Sequence, residues 1–117
     1  CNLALGAGAS FVARTTAFHV MEMQNYFQSA MEHPGFSLIE VVSACPVIYG
    51  RLNKKGGAPQ MMKEFRDNSI PLTAVEKLPP EQVAGKIQRG ILRKEIRPEF
   101  CNAYADLMSK VQDKEGK

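Results

Sequence analysis

Phe36-Ser37-Leu38-Ile39-Glu40-Val41-Val42 is the stretch that decides the fold class. It is nearly continuous in apolar and β-branched side chains, as in a strand covered on both faces in a parallel sheet; a strand with one wet face would alternate. Upstream, Ser10-Phe11-Val12-Ala13-Arg14 is a second short β-prone run, bounded by the flexible Gly6-Ala7-Gly8-Ala9. Between the two, Val20, Met23, Phe27, Ala30 and Met31 recur at helical spacing, with Glu22, Gln24, Gln28 and Glu32 mostly off that face. Thr15 or Thr16 is placed to cap the first turn, and His33-Pro34-Gly35 stops the helix, because proline disfavours α geometry in the residue before it. Strand, helix and strand within about 30 residues make a βαβ unit. The expected fold class is therefore α/β, with a mostly parallel sheet flanked by helices.

Ser43-Ala44-Cys45-Pro46 follows the carboxyl end of the buried strand, where open α/β sheets place their ligand sites. Beyond it, Arg51-Leu52-Asn53-Lys54-Lys55-Gly56-Gly57-Ala58-Pro59 is basic, glycine-rich and poor in apolar residues, the composition of a mobile surface loop. Gln60 to Asn68 predicts a short helix with Met61, Met62 and Phe65 on one side. Pro71 to Val75 reads as a brief extended piece, and Leu78-Pro79-Pro80-Glu81 as a boundary. Gly85 to Arg93 alternates like an edge strand or hairpin, and Pro98 to Val111 predicts a terminal helix with Phe100, Tyr104, Leu107 and Val111 on one face, fraying over Gln112 to Lys117. Residues 1–70 thus form one portion and 71–117 a carboxyl-terminal extension.

The 117 residues are 44% hydrophobic and 23% charged with nine glycines and seven prolines, which suits one modest globular domain and excludes collagen, coiled coil and disordered tail. No run approaches the ~18 apolar residues of a membrane helix, and no secretory leader opens the chain. The first residue is Cys1, and Asn2 to Ala7 already reads as helix interior, so the expectation is a piece of something longer. Charge is segregated: up to Gly50 there is one basic residue against three acidic, and from Arg51 onward fourteen basic against nine acidic. Cys1, Cys45 and Cys101 are an odd, widely spaced set with no disulfide framework and no local zinc pattern, which points to a reducing, cytoplasmic setting.

Few residues here suggest chemistry. Gly6-x-Gly8 lacks the third glycine and the following helix of a dinucleotide fingerprint, and is read as a flexible helix end. His19 and His33 have no carboxylate and nucleophile beside them to complete a catalytic set, which leaves capping or surface roles. Met21, Met23 and Met31 are read as core filling. Cys45-Pro46 allows two readings: a small buried hydrophobe at a strand end, or an iron–sulfur ligand in a turn whose backbone the proline fixes. The basic Arg51 to Lys55 loop leaves open a small α/β binding or assembly module.

Gly6 to Arg14, Gly35 to Pro46, and Tyr49-Gly50-Arg51-x-Asn53-Lys54 together resemble the carboxyl-terminal part of the beta subunit of 2-oxoacid:ferredoxin oxidoreductases. The Gly-Arg-x-Asn-Lys stretch is most similar to the 2-oxoglutarate (KorB-like) type. The likeness covers about residues 2 to 70, and more loosely Gly90-Ile91-Leu92 and Arg97-Pro98. It implies part of a thiamine diphosphate-binding fold, and an enzyme that oxidatively decarboxylates a 2-oxoacid to acyl-CoA while electrons pass through a 4Fe-4S cluster to ferredoxin or flavodoxin. It also implies that Cys45 is the fourth cluster ligand. The other three, and the segment holding magnesium and the diphosphate, belong upstream of the residues given, so no catalytic or thiamine-binding residue is expected in this chain and the piece alone should be inactive. Ala44 stands where the family often has proline. The implied partners are an alpha subunit, gamma and delta subunits, coenzyme A, and ferredoxin or flavodoxin; the switch to basic residues at Arg51 makes Arg51, Lys54 and Lys55 the expected docking surface for that acidic acceptor. Nucleic acid and a membrane span are not expected.

Overall fold

Phe11–Thr16 form β1, the best-covered segment of the protein in a computed structural model that describes residues 1–115. Phe11, Val12, Ala13, Thr15 and Thr16 are wholly inaccessible to solvent. Ahead of β1 lies a short helix, α1 (Asn2–Gly6); the chain leaves it through Gly8, whose φ of 87° a side chain would resist. After β1 come α2 (Val20–Glu32) and β2 (Ser37–Val42), which lies parallel to β1 in register from Phe11 opposite Ser37 to Thr16 opposite Val42. The βαβ unit is therefore present. Glu40, the one charge in the apolar run, stands opposite Arg14 and accepts its guanidinium at 3.0 Å, so the interruption answers a charge across the strand pair.

A single π-helical turn follows at Pro46–Gly50, then α3 (Ala58–Asp67), β3 (Ser69–Pro71), α4 (Leu72–Val75), α5 (Pro80–Val83), β4 (Ile87–Lys94) and α6 (Phe100–Glu115). The sheet order is β2-β1-β4-β3, with β4 antiparallel to β1 and parallel to β3. The sheet is thus mixed. The segment expected as an edge strand or hairpin is instead the interior strand β4, because β1 needs a hydrogen-bonding partner on its second side and no nearer segment supplies one. Leu72 to Val75 is one helical turn and not extended, with Pro71 supplying the extended residue before it.

The face of α2 expected in the core is only half covered, and none of its residues is fully buried. Met21 is 72% and Met31 81% exposed, so these two do not fill the core. β2 is likewise half-exposed throughout, since it lies at the edge of the described sheet. Phe100, Tyr104, Leu107 and Val111 of α6 also face solvent. Of the tail expected to fray, 112–115 continue α6, and 116–117 lie outside the described residues. The accessible surface of 8484 Å² exceeds the roughly 6,300 Å² of a compact chain this long. The radius of gyration, 20.1 Å, exceeds the expected ~13 Å. The core is correspondingly thin: among the described residues, only Ala9, Phe11, Val12, Ala13, Met61 and Ile70 are buried apolar residues.

Where β4 passes β1, the ladder shifts register between Val12 and Ala13, and Gly90 opposite Arg14 takes φ 148°. A methyl group at Gly90 would lie 2.8 Å from Leu72 Cδ1. Gly90→Ala should therefore cost about 1–3 kcal/mol from backbone strain and overpacking, and Leu72→Ala in the same chain should recover part of that loss. Urea unfolding of the two variants checks both signs.

Candidate functional site

β1 and β2 end level, with Thr16 opposite Val42, and the Ala17 amide donates to the Val42 carbonyl at 2.9 Å. The site is built on this shared carboxyl edge. Ser43, Ala44 and Cys45 run out from it, and Pro46 opens the π-helical turn at the position where a missing N–H is not felt. The Gly50 amide closes the turn on the Cys45 carbonyl at 2.9 Å. Cys45 is exposed and free. Nearby backbone N–H groups, that of Ile48 first and then those of Tyr49 and Val47, hold the thiol below its usual range, which favours the thiolate. In this chain the thiol is therefore exposed and not a buried hydrophobe.

Cys45 opens onto a cavity of about 550 Å³. Val42, Met61, Phe65 and Ile87 give it apolar walls, and Lys55 and Glu64 meet at its rim with Nζ and Oε1 3.0 Å apart. Among the described residues no three His, Cys, Asp or Glu side chains come together as a metal site, so Cys45 offers one ligand and not a set. Cys1 and Cys101 are also free; the Cys1 thiol donates to the Ala13 carbonyl.

Of the three cations expected to dock a partner, Arg51 and Lys54 are exposed, while Lys55 turns its charge back onto Glu64 of α3. The loop lies on the surface, yet its backbone is tied: the Lys55 amide donates to the Gly50 carbonyl at 2.8 Å, and Asn53 Nδ2 to the Tyr49 carbonyl at 2.9 Å. Asn53 and Gly50 make it an ordered continuation of the Cys45 turn. The support that α3 gives this turn is unmarked in the sequence, because the ties run between residues whose spacing follows no motif.

A polar group at the end of β1 is likewise unmarked in the sequence. Arg89 of β4 forms an ion pair with Glu22 of α2, and Thr16 Oγ1 lies 2.8 Å from His19 Nδ1. Thr15 and Thr16 belong to β1, so neither caps α2, which starts at Val20 with His19 in the cap position. His33 holds the carboxyl-terminal cap position of α2, one of the two roles expected of it, and is buried where the other, a surface role, would leave it exposed. The Ser10 hydroxyl donates to the Phe36 carbonyl, which leaves its oxygen to accept from His33 Nε2 at 3.0 Å, and the imidazole packs 5.5 Å from the Phe11 ring.

Burial, and after it the Arg89 charge, hold His19 below its ordinary value of 6.5. A histidine held low in the folded state binds its proton more readily when unfolded, so its stabilising contribution is present above pH 6.5 and is lost as pH falls below it. The unfolding free energy should therefore drop on acidification from that point, and His19→Gln should flatten that part of the pH profile in chemical denaturation.

No protein-family model matches the chain. It is 38% identical over 116 residues to the 2-oxoglutarate synthase subunit KorB of Methanothermobacter marburgensis, covering 99% of this chain and 40% of that protein. To KorB of Methanocaldococcus jannaschii it is 35% identical over 112 residues, 96% of this chain and 42% of the relative. A 2-oxoacid:ferredoxin oxidoreductase beta subunit from a Sulfolobus species is 33% identical over 76% of this chain and 28% of its own. Among solved structures, a 2-oxoglutarate:ferredoxin oxidoreductase from Magnetococcus marinus, with 2-oxoglutarate, coenzyme A and succinyl-CoA bound, superposes with a TM-score of 0.69 at 23% identity over 94% of this chain and 38% of that one; this likeness establishes the fold. The chain spans about 40% of the length of the KorB relatives it matches.

Proposed function

We propose a function from one premise: this chain is homologous, over almost its whole length, to the beta subunits of 2-oxoacid:ferredoxin oxidoreductases. On that premise it is the carboxyl-terminal portion of a beta subunit of the 2-oxoglutarate (KorB) type, with residues 1–70 and β4 together contributing to the thiamine diphosphate-binding domain; the division expected at residue 70 cuts across the sheet, because β4 pairs with β1. The complete enzyme would convert a 2-oxoacid and coenzyme A to acyl-CoA in the cytoplasm, together with alpha, gamma and delta subunits, and reduce ferredoxin or flavodoxin. Thiamine diphosphate with magnesium supplies the decarboxylation chemistry and a 4Fe-4S cluster the one-electron transfer.

The observation that carries the reading is Cys45: an exposed thiol past the shared carboxyl edge of two parallel strands, favoured as thiolate by backbone amides, beside an apolar-walled cavity. Cys45 would hold one iron of the cluster, with its amide donors offsetting the thiolate charge. The chain's own part in the reaction is then positional. The Pro46 turn aims the sulfur, the walls from Met61 and Phe65 limit water there, and the adjoining basic surface receives the acceptor. Among the described residues no helix is long and apolar enough to cross a membrane.

In the assembled enzyme, Cys45→Ala should lose the cluster or convert it to a three-iron form, abolishing ferredoxin reduction while thiamine diphosphate still binds. Iron analysis and low-temperature EPR make the measurement; full cluster iron with normal ferredoxin reduction would sink the assignment. For docking, Arg51 and Lys54 carry the free charge, and Lys55 contributes through the pair it makes with Glu64. Changing Arg51 and Lys54 to Glu should slow ferredoxin reduction several-fold at low ionic strength and little at high salt, through a lower association rate. A rate indifferent to the substitution at low salt removes the docking role.

A further inference from the structure

The principal packed neighbour of α3 is the π-helical turn that follows Cys45. Met61, the one fully buried residue of α3 and only 4% exposed, sits against that turn. Its contact is with Gly50, which is buried although Val47, Ile48 and Tyr49 before it are exposed. A methyl group at Gly50 would lie 2.8 Å from Met61 Sδ, 3.2 Å from the Gly56 carbonyl and 3.6 Å from the Cys45 carbonyl, so a side chain there would displace the thioether and crowd the returning loop. Gly50 is also the joint of the segment: its amide donates to the Cys45 carbonyl at 2.9 Å, and its carbonyl accepts from the Lys55 amide at 2.8 Å. Three residues beyond Met61, on the same face of α3, Glu64 takes the Lys55 ammonium. One helix face therefore grips the segment at its middle and at its end.

We propose that Met61 is a positioning residue for the Cys45 sulfur. By filling the space under Gly50 it fixes the turn that aims Cys45 into the cavity, and with Phe65 it keeps the wall there apolar. Glu64, through Lys55, is the secondary tie. This rests on the reading of Cys45 as a cluster ligand. Residues behind a ligand tune a metal site by orienting that ligand and by controlling water access, and the potentials of iron–sulfur clusters respond to both. Leucine nearly preserves the methionine volume, whereas alanine leaves a gap that frees the turn and admits water.

The test uses the assembled full-length enzyme and reads two properties besides turnover: the rate of iron release to a chelator, and the cluster midpoint potential followed by EPR. Met61→Ala should release iron several-fold faster and shift the midpoint upward, because water stabilises the more highly charged reduced cluster; Met61→Leu should match the unaltered enzyme in both. Ile70→Val, a core truncation in β3 away from the turn, controls for general loosening and should leave both properties unchanged. If Met61→Ala matches the unaltered enzyme, or if Ile70→Val reproduces its effect, the positioning role is overturned. Should Met61→Ala yield no folded enzyme, Glu64→Gln decides: faster iron release supports the role, and an unchanged rate overturns it. Failure of the underlying reading shows separately, as a cluster that survives Cys45→Ala.

Discussion

The rest of the structure depends on the two-sided pairing of β1. Its backbone is shut off from water, so every amide and carbonyl in it must find a partner within the sheet. Parallel pairing with β2 satisfies one side and sets the two strands level at their carboxyl ends. Antiparallel pairing with β4 satisfies the other, and delivers the first residues of β4 to that same end. Ile87 thus reaches the wall of the Cys45 cavity, and Arg89 reaches Glu22, although both come from the far end of the sequence. One strand's hydrogen-bonding requirement assembles the site end of the fold.

On that base the Cys45 turn is closed by backbone hydrogen bonds and braced from beneath by Met61. A proline at its start, a π-helical hydrogen bond to Gly50 and a second bond from Lys55 to Gly50 leave the sulfur as the freely presented group. π-helical turns are uncommon and concentrate at functional sites, where an extra residue re-aims a side chain. Here the turn sets Cys45 at its amino-terminal cap, beside the Val47, Ile48 and Tyr49 amides that favour the thiolate.

The βαβ unit was legible because its signals are local: a continuous apolar run for β2, helical spacing for α2, and His33-Pro34-Gly35 as a stop. Cys45 was legible from its place after β2, from Pro46, and from the resemblance of the flanking stretches. The role of β4 was not, since alternation along Gly85 to Arg93 cannot say which strand it joins or on which side. The cap position of His33 was legible but its burial was not, because its partner Ser10 lies 23 residues away and a buried imidazole with a satisfied hydrogen bond looks in sequence like any loop histidine. Met21 and Met31 misled in the opposite sense: apolar periodicity marks a face that seeks cover, and these described residues do not supply it. Nothing at Met61 set it apart from Met62, because the choice between them is made by Gly50, eleven positions earlier.

The late arrival of β4 bears on how the chain acquires its structure during synthesis. β1 and β2 can pair through the crossover helix once residue 42 is out, yet the second edge of β1 stays bare until residues 87–94 follow. In that interval Phe11-Val12-Ala13-Arg14-Thr15-Thr16 presents an open, β-prone edge to any strand within reach, the hazard that long-range pairings carry. The Arg14–Glu40 pair then serves a second purpose as a gatekeeper, since it sets a charge pair in the middle of the otherwise sticky β1–β2 pair while β4 is still being made.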